Sequence, residues 1–193
     1  MTKATLNTTL GPITIDLLDN HAPKTVANFV GLAEGTKQYT DPNTGQPGSG
    51  PYYDGVIFHR VISGFMAQGG DPKGDGSGGS TLPDLKAEFT NMPYFRGTVA
   101  AARAEGPDSA NSQFFIMFGP NMGLEKKYTV WGRVISGMDA VDRIAVGEPP
   151  EHPTKIVRAY LGDMAAPAVA PTVAVPAPAP APVPAPAVTP SGG

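Results

Sequence analysis

Residues 56–71 read Val-Ile-Phe-His-Arg-Val-Ile-Ser-Gly-Phe-Met-Ala-Gln-Gly-Gly-Asp, and the chain is organised around them. Gly55 and Gly64 bracket a run of β-formers, 56–62, which predicts a strand closed by a tight turn at Ser63 and Gly64. With a period of two, Phe58, Arg60 and Ile62 share one face, so Arg60 points the same way as two large apolar groups. An arginine so placed either snorkels to water or serves a cleft. Phe65, Met66 and Gln68 bring an aromatic ring, a thioether and an amide to the same region.

Residues 4–10 and 13–17 alternate apolar with polar around Gly11 and Pro12 and predict an antiparallel hairpin. Pro23 opens a helix, because the N–H it lacks would go unpaired in the first turn anyway. Val26, Phe29, Val30 and Ala33 form its core-facing stripe, and Gly35 stops it. Residues 36–55, rich in Gly, Pro, Asn, Asp and Thr, read as a long surface loop. Residues 72–97 are a second irregular stretch anchored by Leu82, Leu85, Phe89 and Tyr94. Further strands are expected at 98–101, 114–118, 129–135 and 156–161, and a second short helix at 138–145 ending near Gly147. About eight strands that mostly do not alternate with two helices predict an antiparallel barrel or sandwich, not a doubly wound sheet.

The chain divides near 162–166 into a domain, 1–164, and a tail, 165–193. Asp163 is its last charged residue, and Ala, Pro and Val dominate the tail. Repeated proline removes ladder donors and fixes φ, so the tail is expected to be disordered, extended and solvated, with polyproline-II character. Its Ala-Pro copies would also be a tethered, weak occupant of any proline pocket, although an inert tail is the simpler reading.

A net charge of −3 lacks the basic face of a nucleic-acid binder. Without cysteine there is no disulfide and no thiolate chemistry. His21, His59 and His152 lack ligand spacing, so no metal is expected. No signal-like or membrane-length apolar run occurs, and the expected location is the cytoplasm, as a monomer. Gly74–Gly79 spells G-x-G-x-x-G, but Ser80, Thr81, Leu82 and Pro83 open no helix after it, so it reads as a loop rather than a dinucleotide site. Asp71 and Asp75 do not make a calcium loop, since Lys73 stands where an oxygen ligand belongs. Asn7, Thr8 and Thr9 form a sequon within a strand. Trp131 is expected in the core.

Three blocks in order, Phe58-His59-Arg60-Val61-Ile62, Gly64 to Asp71, and Ser112-Gln113-Phe114-Phe115-Ile116, closely resemble the signature segments of cyclophilins, the cyclosporin-binding peptidyl-prolyl cis–trans isomerases. The resemblance runs from about Ala4 to about Leu161. It implies a mainly β domain, a closed eight-stranded antiparallel barrel with a helix over each open end. It also implies an isomerase without cofactor that acts on proline-containing peptides and unfolded proteins. By the same resemblance Arg60 would donate to the prolyl nitrogen and the substrate carbonyl. Phe65, Met66, Phe115 and Leu124 would line the proline pocket. Gln68 would bind the substrate backbone and orient Arg60, with Gln113 positioning that network. His59 and Tyr128 would flank the site, and the backbone around Arg103 and Ala104 would pair with substrate. Where tight cyclosporin binders carry a tryptophan before the matching leucine, this chain has Gly123, and weak cyclosporin binding is expected.

These residue types suit the reaction. Rotation about X–Pro has a barrier of about 18–20 kcal/mol and breaks no bond. An apolar slot that holds the ring still and a fixed donor for the pyramidal nitrogen bind the twisted amide better than either planar isomer. The rival reading is a binding module that grips the same segments without useful turnover. A third is a scaffold acting through the tail.

Overall fold

The structure, a computed structural model, describes residues 1–48 and 50–162. The expectations for the boundary at 164 and for the 165–193 tail lie outside the described residues.

Ten strands and two α-helices follow one another: β1 (Thr2–Thr8), β2 (Gly11–Leu17), α1 (Pro23–Glu34), β3 (Tyr39–Thr40), β4 (Pro47–Gly48), β5 (Phe58–Ile62), β6 (Met66–Gly69), β7 (Thr98–Ala101), β8 (Phe114–Met117), β9 (Val130–Ser136), α2 (Met138–Asp142) and β10 (Ile156–Leu161). Eight of the strands form one antiparallel sheet in the order β10-β1-β2-β9-β7-β8-β6-β5, and β3 with β4 makes a small ribbon inside the expected surface loop. The sheet curls without a continuous closing ladder. The residues just before its outer strands, β5 and β10, meet at an antiparallel bridge between Ile57 and Lys155. Bonds from Gly55 N–H to the Ile156 carbonyl and from Phe58 N–H to the Thr154 carbonyl flank it. Among the described residues, no helix is long and apolar enough to cross a membrane.

Strand alternation sorts the side chains into two apolar clusters. The larger fills the inside of the sheet with Leu6, Ile13, Ile15, Phe58, Phe114, Ile116 and Trp131, closed by Val26, Phe29 and Ala33 of α1. The smaller lies on the other face of β6, β7 and β8 and contains Met66, Ala100, Phe115 and Met117 with Tyr94 and Val130. The same strands thus serve two layers, one residue apart.

Helix α1 begins at Pro23 and ends at Gly35 (φ 71°), as its sequence predicts. Its N-cap, Ala22, has no capping side chain. Glu88, from the irregular 72–97 stretch, supplies one. Its carboxylate accepts from the N–H groups of Lys24 (3.0 Å) and Thr25 (2.9 Å) and from the Thr25 hydroxyl (2.8 Å). An anion there satisfies orphan donors and suits the helix dipole. The cap also ties the irregular stretch to the core.

Candidate active site

Cross-strand register builds the site. On the outer face Arg60 stands opposite Gln68 and Ile62 opposite Met66, and Gln68 and Met66 in turn face Phe115 and Met117. Pairing alone therefore collects a guanidinium, an amide, a thioether and an aromatic ring on one surface. Phe58 is not on that face, contrary to the strict period-two expectation. The register shifts between Phe58 and Arg60, and this bulge turns Phe58 into the main core, fully buried, while Arg60 stays exposed.

A cavity of about 300 Å3 opens here, lined by Phe65, Met66, Phe115, Leu124 and Tyr128, with Arg60, Gln68, Ala102 and Arg103. Phe115 is clamped between two tyrosines, stacked on Tyr94 at 6.5 Å between centroids and edge-on to Tyr128 at 5.4 Å. The Tyr94 hydroxyl donates to the Tyr128 backbone carbonyl (3.0 Å), which holds the Tyr94 ring in place. Leu124 ends a short 3-10 turn, Met122–Leu124, capped by the Asn121 side chain, which accepts from Gly123 N–H at 3.0 Å.

The glutamine pair is oriented by the glycine-rich loop. Gln113 Nε2 donates to the carbonyls of Gly76 (3.0 Å) and Gly78 (2.7 Å). Its Oε1 must then face Gln68, whose Nε2 donates to it at 2.9 Å. That leaves Gln68 Oε1 as an acceptor beside the cavity with no donor on it among the described residues. The loop is shaped in turn by Asp71, fully buried, whose carboxylate accepts from the N–H groups of Lys73, Asp75 and Gly76. Gly70 (φ 90°) precedes it, and a Cβ there would run into the Ser112 carbonyl.

A second cavity of about 340 Å3 adjoins the first, sharing Gln68, Ala102 and Arg103 and adding Ala104 and Gln113. The Arg103 side chain is a loop staple. Its Nε donates to the Lys127 carbonyl (2.8 Å), its Nη1 to the carbonyls of Ala104 and Glu105 (2.9 Å each), and its guanidinium lies 5.0 Å from the Tyr128 ring centroid. Gln68 makes no hydrogen bond to Arg60. Arg60 Nε instead donates to Glu148 Oε1 at 2.7 Å. Strand spacing gave no signal for Glu148, since the surrounding Gly147, Pro149 and Pro150 announce only a turn. Ala102, one residue past the expected 98–101 strand, carried no signal of its own, and Tyr94 was legible as an anchor though not as the buttress of Phe115.

His59 does not line the apolar cavity. It is 4 % exposed and faces an adjoining cavity that shares Arg60 and Gln68 with the first and adds Asp75, Gly76, Glu148 and Pro149, and neither ring nitrogen has a hydrogen-bond partner among the described residues. Burial lowers its pKa from 6.5, against the opposing pull of Asp71 and Asp75. As pH falls through 6.5 the unfolded chain takes up a proton that the native state still refuses, so stability is present above that value and is lost below it. Thermal melts between about pH 7.5 and about pH 5.5 should show this loss, and His59→Gln should remove part of it. An identical slope in the variant would exclude His59 as the source.

Residues 3–161 match the family model described as cyclophilin type peptidyl-prolyl cis-trans isomerase/CLD. Peptidyl-prolyl cis-trans isomerase A of Mycobacterium tuberculosis is 48% identical over 132 residues, covering 68% of this chain and 72% of its own length. A probable peptidyl-prolyl cis-trans isomerase of Brucella suis is 45% identical over an alignment of 168 positions, covering 78% of each chain. A cyclophilin-type isomerase of Cryptosporidium parvum, crystallised in the presence of the dipeptide Ala-Pro, superposes with a TM-score of 0.70 at 27% identity, covering 84% of this chain and 99% of that one. A cyclophilin from Hirschia baltica gives a TM-score of 0.68 at 28% identity over 81% of this chain and 72% of that one. With a family model spanning nearly the whole described domain and the signature side chains gathered on one face of the sheet, the chain belongs to the cyclophilin-type peptidyl-prolyl cis–trans isomerases.

Proposed function

We propose that the cavity beside Arg60 is where an X–Pro bond turns, and that Arg60 is the group that lowers the barrier. The observation that carries this reading is the placement of a half-exposed guanidinium on the same face as Met66 and Phe115, at one apolar cavity. The proline ring packs against Phe65, Met66, Phe115, Leu124 and Tyr128 and is held still. The preceding carbonyl rotates outside the slot. Once the prolyl nitrogen leaves resonance its lone pair accepts from an Arg60 Nη, an interaction neither planar isomer makes. Gln68 Oε1 receives a substrate N–H, and the backbone at Arg103 and Ala104 pairs with the chain preceding proline. No bond breaks, so neither nucleophile nor cofactor is needed. Bringing tens of seconds down to milliseconds requires about 6–7 kcal/mol, which a pocket and a donor supply together.

Proline-containing peptides and unfolded chains are the substrates, and folding in the cytoplasm, as a monomer, is the setting. The Ala-Pro dipeptide present with the Cryptosporidium parvum relative supports that ligand chemistry. We read the Ile57–Lys155 bridge as the seam that closes the barrel. The test is the cis–trans exchange rate of an Ala-Pro peptide with wild type beside Arg60→Ala. Equal rates would remove Arg60 from the mechanism.

Cyclosporin should inhibit weakly. Gly123 is exposed and offers no ring and no side-chain N–H donor at the rim next to Leu124. Gly123→Trp should strengthen inhibition about tenfold or more, the contribution of one buried aromatic with its hydrogen bond. Nanomolar inhibition of the wild type would overturn this.

A further inference from the structure

The partner that holds Arg60 comes from the far end of the chain. Glu148 lies in the turn between α2 and β10, yet its Oε1 is 2.7 Å from Arg60 Nε. Backbone pairing explains the approach. Val61 N–H donates to the Gly147 carbonyl (2.9 Å), and Gly147 N–H donates back to the Val61 carbonyl (3.0 Å). The residue after Arg60 is thus bridged to the residue before Glu148, and the two side chains become neighbours by register. The bridge position demands glycine. Gly147 has φ 149°, and a Cβ there would stand 2.6 Å from the Pro150 Cα.

Nε is the guanidinium nitrogen nearest the side-chain stem. Engaging it fixes the plane of the fork and leaves both Nη groups for the cavity. The two side chains are 46% and 55% exposed, and an ion pair so exposed contributes little to folding. Orientation matters more to catalysis, because a donor that must search for its geometry loses most of its value in the transition state.

We propose that Glu148 is a positioning residue for isomerisation: its carboxylate locks the Arg60 side chain so that the Nη donors face the rotating amide. The proposal rests on the reading of Arg60 as the donor. The carboxylate also weakens the positive field of the guanidinium, and the positioning effect outweighs that loss. Glu148→Gln separates the two effects, since it keeps an acceptor for Nε and removes the charge.

The test uses the full chain and an Ala-Pro peptide. Glu148→Ala should lower kcat on the order of tenfold, with KM changed less than about twofold and the melting temperature unmoved. Glu148→Gln should stay within about threefold of wild type. In an Arg60→Ala background Glu148→Ala should have no further effect, because a residue acting through another is silent once the other is gone. The Arg60 Nε–H should exchange slowly with solvent in wild type and in Glu148→Gln, and quickly in Glu148→Ala. Full or raised kcat in Glu148→Ala, an unchanged Nε–H exchange rate, or an equal loss in both backgrounds overturns the positioning role. If Arg60→Ala collapses the rate while Glu148→Ala does not, only this inference fails. If Arg60→Ala itself is fully active, the reading of the site fails with it.

Discussion

Arg60→Ala is expected to lower kcat/KM for an Ala-Pro peptide by about 100- to 1000-fold, the usual loss when one preorganised transition-state donor is removed. The loss should fall mainly on kcat. The ring of the substrate still finds Phe65, Met66, Phe115 and Leu124, none of which touches its place in the core through Arg60. Ground-state binding therefore survives, and only the interaction made by the twisted amide disappears. The fold should survive too, because the side chain is about half exposed and its ion pair is a surface pair. Exchange spectroscopy on the peptide, with the melting temperature measured alongside, checks all three parts. A loss confined to KM would mean that Arg60 merely grips substrate, and the catalytic assignment would fall.

Phe114→Ala and Phe115→Ala should fail in different ways although the residues are adjacent. Phe114 points into the main core, where its ring makes edge contacts with Phe29, Tyr53, Phe58 and Trp131 at centroid distances of 6.0 to 6.3 Å. Deleting it leaves a cavity at the junction of four rings, and the cost should be about 3–5 kcal/mol. Against a total stability of about 5–15 kcal/mol that is a large fraction. The melting temperature should drop by roughly 6–20 °C, while the activity of the remaining folded protein stays near wild type. Phe115 points the other way, into the cavity it shares with Met66 and Leu124, between Tyr94 and Tyr128. Its truncation should raise KM about tenfold, as lost ring burial against the substrate dictates, with less than half the stability cost because the site already borders open space. Denaturant melts and steady-state kinetics on the two variants decide the matter. The reverse pattern would mean that the two faces of β8 have been exchanged.

That contrast also marks what local patterning made legible. The period of two in 58–62 predicts a two-faced strand, the apolar run 114–118 predicts a strand without marking its faces, and the helix from Pro23 to Gly35 follows from its stripe and its stop signal. Arg60, Met66, Gln68 and Phe115 lie together, because a short turn at Ser63 and Gly64 forces β5 onto β6, and β8 then adds its register. The bulge at Phe58 was not legible. A bulge inserts one residue without a distinctive side chain, and the face Phe58 takes depends on the partner strand. His59, expected at the flank of the site, lines an adjoining cavity together with Arg60 and Gln68.

By itself, then, the order of residues determined the element types, the two-faced strands and the chemical kit of the site: cation, amides, thioether and rings. These follow from periodicity and local turn chemistry, which act over a few residues. Only the tertiary structure decided that Glu88 caps α1, that the glycine loop orients Gln113 and Gln68, and that Glu148 holds Arg60. Each of those contacts joins groups dozens of residues apart: the Val61–Gly147 bridge brings Glu148 to Arg60, while Glu88 and the glycine loop arrive from irregular segments between strands. A short-range pattern carries no trace of a partner that only the folded chain brings near.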